Sequence, residues 1–285
     1  MRVGELQLGA RTWIMGVLNV TPDSFSDGGR YSSPEAAIEY GLQMEREGAD
    51  IIDVGGESTR PGSLELSTEE EWSRLALVLP ALRKRLRVLI SIDTRKSEIA
   101  TRALAAGADI VNDVSGLCHD PRMGKVVAEN RVPVILMHMR GEPSTMQKKP
   151  IVREVIKDVS VGLRESLALA RQAGIAKSRM VLDPGIGFGK SYRQNYELLR
   201  RLPELAALGY PLLVGTSRKG FIGKTLAEKN KTASKEEMLW GTAATVSASI
   251  LNGAHIVRVH NVAEMVLVAR VADCCVDPAL AQKLK

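Results

Sequence analysis

Aromatic residues are scarce in this chain of 285 residues and make up only 4% of it. Surfaces that bind single-stranded nucleic acid stack bases on aromatic side chains, so this scarcity argues against a nucleic-acid partner. The net charge is +6, and its densest cationic run, at residues 83–87, is what the solvated end of a helix would show. A mild positive charge suits an anionic small-molecule substrate equally well.

Cysteine is scarce as well. The three thiols, Cys118, Cys274 and Cys275, form no CxxC motif, and two of them are adjacent. A disulfide scaffold is therefore excluded, and a reducing compartment is expected. No run approaches the roughly 18 apolar residues that mark a membrane helix, and no apolar signal segment begins the sequence. We expect a soluble, cytoplasmic protein with no membrane contact.

Motifs of protein-only metal sites are missing, since the sequence contains no HxH, HExxH or CxxC spacing. A Mg²⁺ ion held mostly by substrate phosphate groups needs few protein ligands. Such an ion would leave little more than one oxygen-bearing residue, such as Asn19, as its sign in the sequence.

Short apolar runs rich in Val and Ile are what the sequence does contain, and longer helical patterns separate them. Each run ends in a turn signal, as buried parallel strands do. The predicted strands span residues 12–19, 50–56, 88–94, 109–116, 133–139, 180–185, 211–217 and 255–260. The predicted helices span residues 34–47, 72–86 after a capping start at 68–71, 97–106, 152–173 and 236–251. Gly-Ala followed by Asp or His precedes three strands, which indicates recurring helix C-caps.

Alternating strands and helices of this number favour an α/β fold, a single (β/α)8 TIM barrel that occupies residues 1–285 as one domain. A doubly wound open sheet is the alternative, but it requires a topological break that the sequence does not show. The active site of such a barrel lies at the C-terminal ends of its strands.

Polar residues end every predicted strand. They are Asn19, Asp53, Asp93, Asn112 with Asp113, His138, Asp183, Ser217 with Arg218 and Lys219, and Arg258 with His260. Because buried charges are costly unless they are paired or used, several of them at one mouth indicate a ligand site. Taken singly, Asp53 and Asp113 are equally well explained as turn caps, and His138 as a hydrogen-bonded core residue.

The chemistry of these end groups suggests two kinds of ligand. Asp93, Asn112 and Asp183 offer acceptors to a flat heterocycle rich in N–H donors, whereas Arg258, His260 and Asn19 suit an anion. The glycine-rich stretch DPGIGFGK (183–190) is compatible with a phosphate-binding loop or with a tight turn against a planar ligand.

Several motifs together resemble one family over nearly the whole chain. They are GVLNVTPDSFSDGG (16–29), DVGGESTRPG (53–62), SIDT (91–94), ND (112–113), LMHMRGEPSTMQ (136–147), LDPGIGFGK (182–190), GTSRKGFIG (215–223) and RVH (258–260). The family is dihydropteroate synthase. The resemblance implies a transferase that condenses 6-hydroxymethyl-7,8-dihydropterin diphosphate with 4-aminobenzoate, giving 7,8-dihydropteroate and diphosphate in folate biosynthesis.

The resemblance also implies a role for individual residues. By this resemblance, the residues that bind the pterin are Asp93, Asn112, Met137, Asp183, Phe188, Lys219 and Arg258. Those that bind the diphosphate are Asn19, Thr59, Arg258 and His260, with Asn19 as the ligand of a Mg²⁺ cofactor. Those that bind aminobenzoate are Phe25, Thr59, Arg60, Pro61, Ser217 and Lys219. The catalytic residues would be Asp27, Lys219, Arg258 and His260.

The resemblance implies an S_N1-like mechanism in which diphosphate leaves first, with the help of Mg²⁺. Asp27 would face the cation that develops on the pterin methylene carbon, and the aryl amine would then attack that carbon. Closure of the segments around Phe25 and Pro61 would exclude water from that cation. Sulfonamides are the expected inhibitors, and a homodimer is the expected assembly.

The sequence departs from the family pattern at two positions. Asn261 follows His260 where the family usually has Asp, so a carboxylate that would raise the pKa of this histidine is missing. Gly220 offers no side chain to the aminobenzoate carboxylate. The competing functions are a pterin-binding methyltransferase acting with a corrinoid protein, and a pterin-binding module without catalysis.

Overall fold

The computed structural model of the chain describes residues 2–3, 6–21, 33–58, 63, 65–141, 154–228 and 231–283. A short antiparallel pair, β1 (Arg2–Val3) and β2 (Leu6–Gln7), comes first. Among these residues, no helix has the length and apolar character needed to cross a membrane.

Eight parallel strands form a barrel, as the sequence predicted. They are β3 (Trp13–Asn19), β4 (Ile51–Gly55), β5 (Leu89–Asp93), β6 (Ile110–Asp113), β7 (Val134–Met137), β8 (Met180–Asp183), β9 (Leu213–Val214) and β10 (Ile256–Val259). Their order in the sheet is β8-β7-β6-β5-β4-β3-β10-β9. An isolated parallel bridge links Leu182 of β8 to Leu212, the residue before β9, so the two outer strands of this order meet and the barrel is nearly closed.

Helices cover the outside of the sheet. They are α1 (Pro34–Arg46), α2 (Thr68–Leu75), α3 (Val78–Arg85), α4 (Ser97–Ala105), α5 (Met123–Asn130), α6 (Val155–Gln172), α7 (Tyr192–Arg200), α8 (Leu202–Ala206), α9 (Gly220–Leu226), α10 (Lys235–Leu251) and α11 (Val262–Val276). The predicted Gly-Ala caps are confirmed. After α1, Gly48 has φ +102°, and Ala49 N–H donates to Met44 O at 2.9 Å, which is a Schellman ending.

The predicted helix 72–86 is wrong in its continuity, because the structure divides this region into α2 and α3. Pro80 explains the division. In one continuous helix its ring would collide with the Ala76 carbonyl, whereas in the first turn of α3 it needs no N–H partner. The helix also begins earlier than residue 72, since Ser67 and Glu70 form a capping box in front of Thr68.

The predicted strand 211–217 is much longer than β9, which is limited to Leu213–Val214. Pro211 has no N–H to give to a neighbouring strand. Beyond Val214 the chain turns, and Arg218 adopts a left-handed φ of +56°. This turn is what brings the polar residues after β9 to the barrel mouth.

The side chains that point into the barrel form two layers, an apolar one and, nearer the C-terminal ends of the strands, a polar one. The apolar layer contains Leu8, Met15, Ile51, Ile110, Ile135, Val181, Leu213 and Ile256, all almost fully buried. Side chains two residues apart lie on the same side of a strand. Asp53 therefore follows Ile51 on the inner side of β4, and Arg258 follows Ile256 on the inner side of β10. The barrel interior is thus packed at one end and polar at the C-terminal end.

Candidate active site

Arg258 stands at the centre of the polar end of the barrel. Its Nε donates to Asp53 Oδ2 at 2.6 Å, and its Nη2 donates to Asp93 Oδ2 at 2.8 Å. Asn112 Nδ2 donates to the same Asp53 oxygen at 3.1 Å. The four side chains come from β4, β5, β6 and β10. The sequence prediction that strand ends converge on one site is therefore confirmed for these positions.

One oxygen of each carboxylate remains available in this cluster. Within the part of the chain that the structure describes, Asp53 Oδ1 and Asp93 Oδ1 are buried and have no hydrogen-bond partner. A buried acceptor without a donor is unfavourable, and native proteins rarely keep one without a reason. These two oxygens are suited to the N–H groups of a bound ligand.

Electrostatics at the cluster follow from burial. Burial raises the pKa of Asp93 to about 7, although the Arg258 cation favours the carboxylate, and Asp53 adds to the rise. Burial also opposes the charge of Arg258, but Asp53 and Asp93 outweigh it and raise the pKa of the guanidinium. The arginine therefore stays charged, while Asp93 titrates near neutrality.

A second group, from β8 and the turns after β8 and β9, completes the mouth. Lys219 Nζ donates to Ile186 O and lies 4.1 Å from the centroid of the Phe188 ring. Burial lowers the pKa of Lys219 to about 8, and Asp183 counteracts this shift. Burial likewise raises the pKa of Asp183 despite the Gly185 N–H, which donates to its carboxylate at 2.7 Å.

The glycine-rich turn 183–190 uses its amide groups within the protein. Gly185 N–H binds Asp183, Gly187 N–H donates to Asn195 Oδ1 at 2.6 Å, and Phe188 N–H donates to Gly185 O at 3.1 Å. A phosphate-binding loop directs such groups at its ligand. The arrangement therefore favours the alternative, a tight turn beside a planar ligand.

His260 and Ser217 lie together beyond β9 and β10. Ser217 Oγ accepts from His260 N–H at 3.2 Å and lies 3.0 Å from His260 Nδ1. The next residue, Asn261, accepts from Arg218 Nε at 3.2 Å and from Nη2 at 3.0 Å. The amide at this position thus binds a neighbouring guanidinium.

Asn19 ends β3 and faces the same mouth. A Cβ added to Gly55 would lie 3.8 Å from Asn19 Oδ1 and 3.5 Å from Asp93 Cβ. Glycine at position 55 therefore keeps the space between these two side chains open. Met137 is buried at the end of β7, beside Gly185 of the glycine-rich turn.

Two strand-end residues serve the fold instead. Asp113 accepts from Ser115 N–H at 2.8 Å and Leu117 N–H at 2.9 Å, so it caps the turn after β6. His138 is buried beside Lys190, and burial together with that lysine lowers its pKa to about 3. Asp113 is therefore a turn cap and His138 a hydrogen-bonded core residue, the alternatives that the sequence had left open. The turn-cap alternative is wrong for Asp53, which is bound by Arg258 and Asn112.

Five of the predicted site residues lie outside the described part of the chain: Phe25, Asp27, Thr59, Arg60 and Pro61. Conversely, sequence reasoning gave no role to Lys190, to the Glu57–Lys96–Glu71 group or to the pairing of Asp53. A lysine inside a glycine-rich turn and a glutamate directly after a strand are the only signals that the sequence offered for them.

A family model described as pterin binding enzyme matches residues 15–260 of this chain. A dihydropteroate synthase from Synechocystis sp. is 48% identical over 265 residues, covering 93% of this chain and 90% of that relative. The structure of Yersinia pestis dihydropteroate synthase in a sulfonamide drug complex superposes with a TM-score of 0.89 at 38% identity, covering 98% of this chain and 99% of the other. The enzyme from Xanthomonas albilineans in complex with 7,8-dihydropteroate superposes with a TM-score of 0.84 at 39% identity, covering 95% and 96% of the two chains. The chain therefore belongs to the dihydropteroate synthase family of pterin binding enzymes.

Proposed function

We infer that this chain condenses 6-hydroxymethyl-7,8-dihydropterin diphosphate with 4-aminobenzoate to give 7,8-dihydropteroate and diphosphate. The observation that carries this inference is the cluster of Asp53, Asp93, Asn112 and Arg258 at the barrel mouth, in a chain 48% identical to a synthase over 93% of its length. The enzyme is a transferase of folate biosynthesis.

The pterin occupies the polar mouth in this proposal. Its edge carries N–H donors, which match the buried oxygens of Asp93 and Asp183 and the amide of Asn112. Arg258 is held flat by two carboxylates, so its planar guanidinium is prepared to stack on the ring. Met137 and Phe188 supply apolar walls, and Lys219 binds at the rim.

The diphosphate group lies toward Asn19, Thr59, Arg258 and His260. Among the described residues, no group of three or more His, Cys, Asp or Glu side chains is placed to hold a metal ion. Asn19 contributes a single neutral oxygen at the mouth, and this fits Mg²⁺ held otherwise by diphosphate oxygens and water. When bound, Mg²⁺ neutralises charge on the leaving diphosphate.

Aminobenzoate binds at the outer end of the pterin. Ser217 and Lys219 lie at that side of the mouth, and Phe25, Thr59, Arg60 and Pro61 complete the pocket in this proposal. Gly220 begins α9 and contributes no side chain, so recognition of the aminobenzoate carboxylate rests on its neighbours.

The reaction proceeds by dissociation. The bond between the methylene carbon and the diphosphate oxygen breaks, and its electron pair leaves with the diphosphate. The electron-rich dihydropterin delocalises the resulting cation, which Asp27 stabilises electrostatically. The amine lone pair of aminobenzoate then forms the new C–N bond, and the nitrogen loses a proton. The enzyme stabilises charge and excludes water.

We further propose that each chain folds as a single domain and that two copies form a homodimer in the cytoplasm. Sulfonamides are its proposed inhibitors. The free state of all three cysteines supports the reducing compartment. Exposed apolar side chains on α10 and α11 support the dimer. The sulfonamide complex of the Yersinia pestis enzyme supports the inhibition.

Product formation tests the function. The chain is mixed with Mg²⁺, the dihydropterin diphosphate and 4-aminobenzoate, and dihydropteroate and diphosphate are followed together. The proposal requires both products in equal amounts. Methyl transfer from methyltetrahydrofolate to a corrinoid protein, without either product, would replace the synthase with the methyltransferase.

A further inference from the structure

Lys190 ends the glycine-rich turn and is only 2% exposed. Its ammonium donates to three main-chain carbonyls: Gly185 O at 2.9 Å, Phe188 O at 2.9 Å and His138 O at 3.1 Å. It also lies 3.0 Å from His138 Nδ1. An ammonium has three N–H donors, so three carbonyl acceptors satisfy it. The reaction described above gives this residue no task.

The turn itself needs this support. Gly185, Gly187 and Gly189 all have positive φ, at +66°, +86° and +66°, a conformation that glycine adopts at little cost. Within this turn Lys190 binds Gly185 O and Phe188 O, and Lys219 binds Ile186 O. The turn is therefore fixed between two lysines, and the second of these faces the substrate.

Two groups assigned to the pterin depend on the geometry of this turn. Asp183 accepts from Gly185 N–H, and Lys190 binds the carbonyl of the same glycine. Lys190 also binds the Phe188 carbonyl, while the Phe188 ring lies under Lys219. Loss of the buried ammonium would take one donor from each of the three carbonyls, of which Gly185 O would keep only Phe188 N–H, and would free the turn to move. Both a hydrogen-bond acceptor and an apolar wall of the pterin site would then shift.

We propose that Lys190 is a positioning residue for the pterin: its buried ammonium holds the 183–190 turn so that Asp183 and Phe188 meet the ring. This rests on the proposed function. Lys190 touches no substrate and acts through the turn.

The charge of Lys190 acts in the same direction. Asp183 faces three cations, namely Lys219, Lys190 and Arg258, and each favours its ionised form against the effect of burial. Lys190 in turn faces Asp183, Lys219, Asp158 and the imidazole of His138. Burial lowers the pKa of Lys190 to about 7, and Asp183 counteracts this shift. Below that pH the ammonium places a positive charge beside Asp183, between the turn and β7.

The test compares Lys190→Met with wild type, using calorimetry with 6-hydroxymethyl-7,8-dihydropterin diphosphate and steady-state kinetics with 4-aminobenzoate. We expect the pterin Kd to rise by about tenfold or more, since fixed carbonyl geometry is lost. The KM for aminobenzoate at saturating pterin should change much less, because the turn reaches that substrate only through Lys219. Leu79→Ala, a change in the buried core of α3, is the matched control because it destabilises the fold away from the turn.

An unchanged pterin Kd in folded Lys190→Met overturns the proposal. Equal losses for both substrates also overturn it, because they indicate general damage. If Lys190→Met does not fold, Lys190→Gln keeps a donor without the charge. Its two N–H donors cannot satisfy three carbonyls, so we expect the pterin Kd of this variant to rise as well, with a smaller change in the KM for aminobenzoate. An unchanged pterin Kd in folded Lys190→Gln contradicts the proposal. Wild type that binds no pterin would refute the proposed function instead.

Discussion

Arg258 Nη2 lies 2.8 Å from Asp93 Oδ2, although β3 and β4 separate their strands in the sheet. The two side chains meet across the inside of the barrel mouth, where Nε of the same arginine also binds Asp53. One guanidinium therefore fixes two buried carboxylates and leaves one oxygen of each for a ligand. The proposed pterin site is organised around this contact.

Removal of that guanidinium should damage both stability and binding. Arg258→Met leaves Asp53 and Asp93 buried without their cation, and breaking a buried pair in this way costs about 3 kcal/mol or more. Urea unfolding at pH 8 should show this loss, and calorimetry should show weakened pterin binding. The combined variant Asp93→Asn with Arg258→Met is the control, since it removes part of the uncompensated charge and should recover stability. A stable Arg258→Met with normal pterin affinity would contradict the arrangement.

Pterin affinity should depend on pH through Asp93. The carboxylate accepts pterin N–H groups, but in the free enzyme it binds a proton below its pKa of about 7. Binding must then release that proton, so affinity should increase with pH below about 7 by up to about tenfold per pH unit, and level off above. Calorimetry between pH 5.5 and 8.5, chosen to span roughly this range, measures the effect. Asp93→Asn should bind weakly and lose most of the pH dependence. Affinity that falls as pH rises would refute the assignment.

Arg95 and Lys96, which follow β5, contact residues at the start and end of the segment 58–65. Lys96 Nζ binds Glu57, and also Glu71 Oε2 at 2.7 Å. Arg95 Nη2 lies 3.5 Å from Glu57 Oε1 and 3.3 Å from Glu65 Oε1. Glu57 Oε2 also accepts from Leu66 N–H at 3.2 Å. These contacts fix both ends of the stretch that carries the proposed aminobenzoate residues.

Lys96→Met should therefore raise the KM for 4-aminobenzoate by roughly tenfold, because small misplacements of binding groups are costly. The pterin Kd, measured separately by calorimetry, should be unchanged. Arg102→Met is the matched control, since Arg102 pairs with Glu69 and Glu98 on the helix surface. An aminobenzoate KM that responds equally to both changes would show that the contacts to Glu57 are irrelevant.

Asp27 is expected to act on the transition state. Asp27→Asn keeps the size of the side chain but loses the charge that faces the developing cation, so turnover should fall by about 100-fold. Pterin affinity should remain close to that of wild type. Single-turnover kinetics and calorimetry separate the two effects, with Asp23→Asn as the control in the same stretch. Equal losses of turnover and affinity would remove the cation-stabilising role.

The exposed apolar face of α10 and α11 is where the proposed dimer should form. Leu267 and Val271 lie one helical turn apart on α11 and are 61% and 67% exposed, and Trp240 on α10 is 65% exposed. Replacing Leu267 and Val271 by Asp should give a monomer in sedimentation equilibrium, because charged groups oppose burial in an apolar interface. Val161→Asp, at an exposed apolar position of α6, should leave the assembly intact. A dimer that survives the double change would place the interface elsewhere.

The barrel was predictable because its strands are short, continuously apolar and separated by clear turn signals. The Gly-Ala caps were predictable for a different reason: Gly48 adopts a backbone conformation that other residues avoid, so a glycine marks the end of the helix. The break before α3 was missed because apolar periodicity continues through Pro80, and only the missing N–H and the ring of that proline interrupt the helix.

The site was predictable as a set of strand ends, but the roles within it were not. Asp53 and Asp113 look alike in the sequence, as carboxylates at the end of apolar strands. In the structure one points to Arg258 and the other caps a turn, because side-chain direction alternates along a strand and depends on its register. Lys190 was missed since its partners are main-chain carbonyls, which no sequence pattern reveals.

A crystal structure of the enzyme with 7,8-dihydropteroate bound would show directly whether the barrel mouth is the pterin site. We expect the pterin in the barrel mouth, with its N–H donors in hydrogen-bond contact with Asp93 and Asp183 and the Arg258 guanidinium against its face. A pterin bound elsewhere, or one whose edge meets neither carboxylate, would contradict this expectation.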